Sequence, residues 1–391
     1  MKWETAKIRE ICFGIYDGPH ATPPVSEDGA IFLGISNITP DGHLDLSHPK
    51  YISENDFPKW TKRITPQPGD IVFSYEATLN LYAIIPKGFR GCLGRRMALI
   101  RPDEQKVLGK FLFYYFFSDE WRETIAKNTV VGATVDRISL IRFPDFPISF
   151  PSIKEQETIA NILSTYDALI ENNQKQIKLL EEAAQRLYKE WFVDLRFPGH
   201  ENVKIVDGVP EGWKRERLVD LVKVQYGYAF DGSLFNSTGE GMPIVRIRNI
   251  PSGNTEDYTT EEANSQYIVH NGDILVGMDG EFYINSWSGF DAYLVQRTCS
   301  FRPNNPNMKG FLLQAIHEPI KYFEKTVVGA TVAHLGKKHI DTITILTGPD
   351  ELYVPFKHFF EGRQLLLNQN HLLVEVRDRL LSKLMSGEIE V

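Results

Sequence analysis

The chain of 391 residues has only three cysteines. Cys12, Cys92 and Cys299 lie far apart and form no Cys-x-x-Cys pair, which argues against a disulfide framework or a zinc site. Long apolar runs are also missing. The longest, Phe111 to Phe117, falls far short of the ~20 residues needed to cross a bilayer. The opening stretch MKWETAKIREICF is charged and amphipathic rather than a basic stub before an apolar run, so no export signal is read there. A cytoplasmic protein is expected. Nor is there an excess of positive charge: 43 Lys and Arg stand against 51 Asp and Glu, a net charge of −8. At face value that speaks against a nucleic-acid partner.

Catalytic signatures are absent as well. Gly336-Lys337-Lys338 lacks the upstream glycine of a phosphate-binding loop, and no Gly-x-Gly-x-x-Gly follows a strand. There is no His-Glu-x-x-His and no Gly-x-Ser-x-Gly elbow. Thr22-Pro23-Pro24-Val25 is the nearest approach to the Asn/Asp-Pro-Pro-aromatic loop of DNA methyltransferases, with the wrong first and last residues. Glu181-Glu182 and Glu261-Glu262 read as solvated charge, and Asp70 and Asp273 as turn residues leading into strands. Binding is the better class.

What the chain does have is a second copy of itself. Trp3-Glu4 with Ile8 and Ile11 reappears as Trp213-Lys214 with Leu218 and Leu221. IFLGISNI (31–38) matches PIVRIRNI (243–250), PGDIVF (68–73) matches NGDILV (271–276), and RRMALIRPD (95–103) matches QRTCSFRPN (296–304). VVGATV is identical at 130–135 and 327–332. Repeats in this order predict two domains of one fold. Strand signals dominate the start of each copy, with helices expected at 111–126 and 311–325, the second kinked at Pro319.

Each copy closes on a long helical stretch, 152–193 and about 352–387. Ser152 and Glu155 form a capping box at the first. Ile159, Leu163, Tyr166, Ile170, Asn173, Ile177, Leu180, Ala184, Leu187 and Trp191 then follow at spacings of four and three, a coiled-coil seam. In the second stretch Phe359, Leu366, Leu373 and Leu380 fall at sevens, flanked by Phe356, Val376 and Leu384. The seams can satisfy each other if the helices pair antiparallel. Asn173 and Asn370 would then meet and fix register, or else both face solvent or a third protein. A helix of ~40 residues spans ~60 Å, close to two turns of B-DNA.

The fold class expected is therefore α+β: two similar mixed α/β domains separated by two long antiparallel paired helices. The boundaries are 1–150, 151–195, 196–350 and 351–391.

Charge by segment tempers the first impression. Residues 1–150 carry 18 basic and 18 acidic groups, whereas 151–195 carry five and eight. Basic residues cluster in the globular parts: Lys87, Arg90, Arg95 and Arg96, then Arg246, Arg248, Arg297, Lys337 and Lys338. Arg and Gln can read base edges bidentately, while Lys and small hydroxyls anchor phosphates. The VVGATV loops with their basic neighbours suit gripping a backbone, or are ordinary turns.

At this point the residues resemble the specificity subunit family of type I restriction–modification enzymes. FPSIKEQETIANILSTYDALIENNQ resembles that family's central region, KEWFVDLRFPG with GVPEGWKRERLVDL the junction into its second module, and RDRLLSKLMSGEIEV its C-terminal segment. Arg363 and Arg377, at seam positions of the second helix, depart from the pattern. The resemblance implies two target-recognition domains, each reading one half of a bipartite asymmetric site in double-stranded DNA, with the helices setting the spacer. It implies two modification subunits that use S-adenosylmethionine to methylate adenine, and restriction subunits that use ATP and Mg²⁺. The chain itself would hold no active site, cofactor or metal. By motif position the DNA-binding residues are Asn37, Arg95, Arg96, Thr134 and Arg137 in the first domain. In the second they are Arg246, Arg248, Gln296, Arg297, Thr331, Lys337 and Lys338. The rival classes are a duplicated coiled-coil protein-binding scaffold without DNA sequence preference, and a nuclease or methylase acting alone.

Overall fold

Gly69 and Gly272 both take left-handed backbone (φ 94° and 81°), conformations that cost glycine nothing. Each turns the chain into a central strand, Ile71–Ser74 or Ile274–Gly277. The next residue fastens that turn. Asp70 accepts from Arg101 Nε and Nη2, both at 2.8 Å, and from the Gln67 amide at 2.7 Å. Asp273 repeats this with Arg302 (2.9 and 2.6 Å) and the His270 amide (3.0 Å). Both aspartates are buried, so both are turn anchors.

The computed structural model describes residues 3–132, 134–326 and 333–391. It divides into two units, one of residues 1–168 with 374–391 and the other of 169–373. The cut falls inside both long helices, so each unit holds a globular domain together with parts of both.

In the first unit the central sheet has the order Cys12–Asp17, Met97–Pro102, Ile71–Ser74, Tyr82–Ile84, all antiparallel. Alternate residues of its middle strands enter different cores. Ile71, Phe73, Ala98 and Ile100 pack with Phe111, Trp121 and Phe143. Val72, Met97 and Leu99 face Leu33 and Leu93 of a smaller sheet. In that sheet Ala30–Leu33 runs parallel to Gly91–Leu93 and antiparallel to Lys50–Ile52. Glu4–Lys7 pairs with Pro147–Phe150 and closes the domain.

The second unit repeats the plan. Its central sheet has the order Val222–Tyr226, Thr298–Pro303, Ile274–Gly277, Ile284–Ser286. Met242–Val245 runs parallel to Ala292–Leu294, and Lys214–Arg217 pairs with Thr344–Thr347. The duplication read from sequence is thus a duplication of topology, and the fold is mixed α+β in two similar domains.

Two helix expectations need correcting. The stretch 111–126 is two helices, Gly109–Tyr115 and Asp119–Asn128, because Ser118 caps the second by accepting from the Trp121 amide at 3.2 Å. The stretch 311–325 likewise divides into Lys309–Ala315 and His317–Thr326. The break at Ile316 leaves Pro319 in the first turn of the second helix, where its missing N–H costs nothing.

The first long helix, Ile153–Tyr188, starts at the expected capping box: Glu155 Oε2 accepts the Ser152 amide at 3.0 Å. The second covers Val354–Met385. In the second unit their pairing is polar at two levels. Asn173, 5% exposed, donates through Nδ2 to Asn370 Oδ1 at 2.9 Å and to Gln369 Oε1 at 3.1 Å. Arg363 Nε donates to Glu181 Oε1 at 2.6 Å. In the first unit Arg377 Nη1 reaches Asp167 Oδ1 at 2.8 Å. The two departures from a regular seam are therefore arginines answered by acids of the partner helix, and the partner numbers fall as the first helix ascends. Val376, read as flanking the seam, is exposed.

Candidate nucleic-acid interface

Just past each central strand stands an acid, Glu76 in the first unit and Asp279 in the second. Opposite each, immediately before the neighbouring strand, stands an arginine in left-handed backbone: Arg96 at φ 75° and Arg297 at φ 70°. That conformation costs a non-glycine residue about 1–2 kcal/mol. The backbone is held there by matching bonds: the Tyr75 amide donates to Arg96 O at 3.2 Å, and the Met278 amide to Arg297 O at 2.8 Å. The side chains also match. Arg96 Nε lies 3.2 Å from Glu76 Oε1, and Arg297 Nε 3.3 Å from Asp279 Oδ2.

A third segment crosses the same point in both units. The Ile138 amide donates to Tyr75 O at 2.8 Å, and the Leu335 amide to Met278 O at 2.7 Å. These bonds lay Arg137 against Glu76 and His334 against Asp279 as isolated β-bridges. His334 Nδ1 also hydrogen-bonds Asp279 and lies 3.4 Å from Arg297 Nη1. In the first unit this segment is a hairpin, Thr129–Val130 paired with Arg137–Ile138, with Val131 and Thr134 exposed between them. Tyr75 sits beneath, and burial first, then the Asp17 and Glu76 charges, push its phenol up, so it stays protonated.

In the second unit Arg297 of this pair lines a groove of about 580 Å³. Arg246, Arg248, Gln296 and Arg297 converge there, with Phe230, Phe235 and Tyr283 as apolar surface. Arg246 stacks over the Phe235 ring at 5.6 Å, which fixes its direction. Arg248 is tied to Asp257. Gln296 is exposed, its backbone amide bonded to Tyr228 O at 2.7 Å while its side chain stays unspent among the described residues. Planar donors and an amide on one concave, aromatic-backed surface suit recognition of base edges and phosphates. Among the described residues no group of three or more His, Cys, Asp or Glu could hold a metal ion.

Of the other residues chosen from sequence, Arg95 and Arg137 are exposed and ion-paired to no other described residue. Lys337 donates to Asp341 at 2.7 and 2.8 Å within its own helical turn, and Lys338 is exposed. Thr331 lies outside the described residues. Asn37 is placed within a turn. It is 8% exposed, its Oδ1 accepts the Gly34 amide at 2.9 Å, and its Nδ2 donates to Asp45 O at 3.1 Å. Its counterpart Asn249 accepts the Arg246 amide at 2.9 Å. Asn37 shapes its turn with both ends of its amide engaged, and Asn249 accepts through Oδ1 in the matching turn. Sequence reasoning missed Glu76, Asp279, Phe230, Phe235 and Tyr283. The acids could have been found from their equal spacing after the matched Gly-Asp turns.

Comparison with known proteins identifies the family. The type I restriction modification DNA specificity domain family matches residues 2–182 and 210–351. The MjaIX specificity subunit of Methanocaldococcus jannaschii is 26% identical over 100% of this chain and 94% of its own length. The HindI specificity subunit of Haemophilus influenzae is 23% identical over 89% of this chain and 91% of its own. The crystal structure of a type I restriction–modification S subunit from M. genitalium shares the fold, with a TM-score of 0.56 and 17% identity over 98% of this chain and 96% of that one. With the family match falling on both repeats of the fold, the chain belongs to the type I restriction–modification specificity subunits.

Proposed function

We propose that this chain reads DNA for a type I restriction–modification enzyme, each globular domain recognising one half of a bipartite, asymmetric site. The observation that carries the reading is divergence on a common frame. The two domains share sheet order, turn anchors and the acid–arginine pair, yet their groove positions differ: Gly34 stands where the second has Arg246, Ser36 where it has Arg248, and Arg95 where it has Gln296. Two readers of one build and unlike contacts suit two unlike half-sites.

The two long helices act as the spacer between the half-sites and as the seat of two modification subunits. A helix of 36 residues runs ~54 Å, and polar pairs such as Asn173–Asn370 hold one register over that length. Methyl transfer to adenine falls to the modification subunits with S-adenosylmethionine, and cleavage to restriction subunits with ATP and Mg²⁺. Among the described residues no helix is long and apolar enough to cross a membrane, in keeping with a role on DNA.

The test is to sequence genomic DNA for methylated adenine with and without this gene, alongside gel shifts of the chain with its modification subunits. A bipartite motif that vanishes with the gene, and tighter binding to that motif than to random duplex, is expected. No motif and equal binding to both duplexes would refute the reading.

A further inference from the structure

Two copies of one fold that read different sequences control for each other. A residue that reads a base is free to differ between copies; a residue kept in both serves something the copies share. Buried bonds explain most matched polar residues, as with Asn37 and Asn249, or Arg101–Asp70 and Arg302–Asp273. They do not explain Arg96 and Arg297. Glycine would fit their left-handed backbone with less strain. Their side chains are 30% and 56% exposed, and each turns only Nε towards the acid. Arg96 Nε makes no aligned hydrogen bond despite lying 3.2 Å from Glu76, and its two terminal nitrogens have no hydrogen-bond partner among the described residues. The longest run shared by the two copies, TVVGATV at 129–135 and 326–332, leads into the segment that crosses this pair.

We propose that Arg96 and Arg297 are sequence-independent clamps on the DNA backbone, one per domain, each offering its outer guanidinium edge to a phosphate while the acid behind aims it. Base reading is left to the divergent neighbours Arg95, Arg246, Arg248 and Gln296. The exposed Thr134 hydroxyl and Arg137 beside Arg96 extend the grip in the first domain. In the second domain the VVGATV residues lie outside the described residues, and the assignment rests on Arg297, Asp279 and His334. The apolar tip residue Val131 also suits a protein partner, but the unbonded terminal nitrogens of Arg96 and the Arg297 Nη2, set against a polyanion, favour DNA.

This inference rests on the DNA-reading function proposed above, and its test separates the two. Arg96→Gly and Arg297→Gly are assembled with the modification subunits. Affinity for cognate and unrelated duplexes is then measured across a salt series, with the methylated motif and the unfolding midpoint. The expected result is roughly tenfold weaker binding to both duplexes alike, with the slope of log K against log salt shallower by ~0.9 per variant. The motif stays unchanged and the midpoint is unchanged or higher. Glu76→Gln and Asp279→Asn keep the arginine while removing its acid, and should bind both duplexes at least as tightly as the parent. A motif relaxed in one half makes the arginine a base reader, and a lowered midpoint makes it structural. Poorer assembly with an unchanged salt slope makes the loop a protein contact. Each of these overturns the proposal. A parent complex that does not prefer its cognate duplex overturns the DNA-reading function instead.

Discussion

Replacing Asn173 by Leu should separate the cost of an unmet hydrogen bond from the value of the pair. Both Nδ2 protons of Asn173 are spent, on Asn370 and Gln369. In the Leu variant Gln369 is exposed and turns to water, while the half-buried Asn370 oxygen loses its donor. A stranded buried acceptor costs ~1–3 kcal/mol, and partial burial puts this one near the lower end, ~1–2 kcal/mol. Asn370→Leu should cost less, because Asn173 keeps Gln369. The double variant removes both polar ends, so it should recover most of the loss, leaving a coupling of ~1–2 kcal/mol. Denaturant unfolding of the full chain followed by far-ultraviolet circular dichroism measures the cycle. The same variants in the assembled enzyme should broaden the spacer length in the methylated motif, since two leucines tolerate a slipped register. Strictly additive single costs, or an equal cost for the two singles, would refute the reasoning.

Arg377→Met should cost ~3 kcal/mol, because it leaves the largely buried Asp167 with only the Tyr114 hydroxyl; the unfolding midpoint measures it. Burial holds His371 below its ordinary value of 6.5, and its neutral ring suits Ser288 on one side (3.0 Å) and Asn254 on the other (3.4 Å). A depressed folded-state value means that stability is fully present above about pH 6.5 and falls as pH drops below it; His371→Gln should flatten unfolding free energy against pH in that window. Burial pushes Cys12 up to about 11 and Cys92 up to about 12, and raises Cys299 as well, so the native chain should resist thiol alkylation near pH 8 and react fully only when unfolded, as mass spectrometry would report. Arg95→Ala should relax only the half-site read by the first domain and Gln296→Ala only the other, each by ~1–3 kcal/mol at one position, read from methylated motifs.

The architecture was legible wherever a pattern repeats. The matched Gly-Asp turns and the 4-3 spacing of the first helix both announce structure that the fold then fills. Asn37 shows where that logic fails. A residue matched between copies can serve a contact or its own turn, and only burial and bonding separate those cases. Arg363 and Arg377 broke the seam by spacing, since spacing says nothing of the acids Glu181 and Asp167 that answer them from a distant stretch. The groove aromatics Phe230 and Tyr283 sit in irregular segments and Phe235 in a strand of two residues, too short for a period to mark them. Net charge misled most, because −8 summed over the chain hides which arginines stand beside which carboxylates.

Leu384 and Met385, close to the last residue, are buried in the same core as Ile8, Phe111 and Ile159. The first unit is thus stitched from two separate stretches, 1–168 and 374–391, while the second is one unbroken stretch. Exchange of recognition specificity between such proteins is therefore lopsided. The later domain can be cut out and replaced as a single insert. Grafting the earlier one carries an obligation to the distant stretch 374–391, where a truncation or frameshift beyond Leu380 would loosen the domain encoded first.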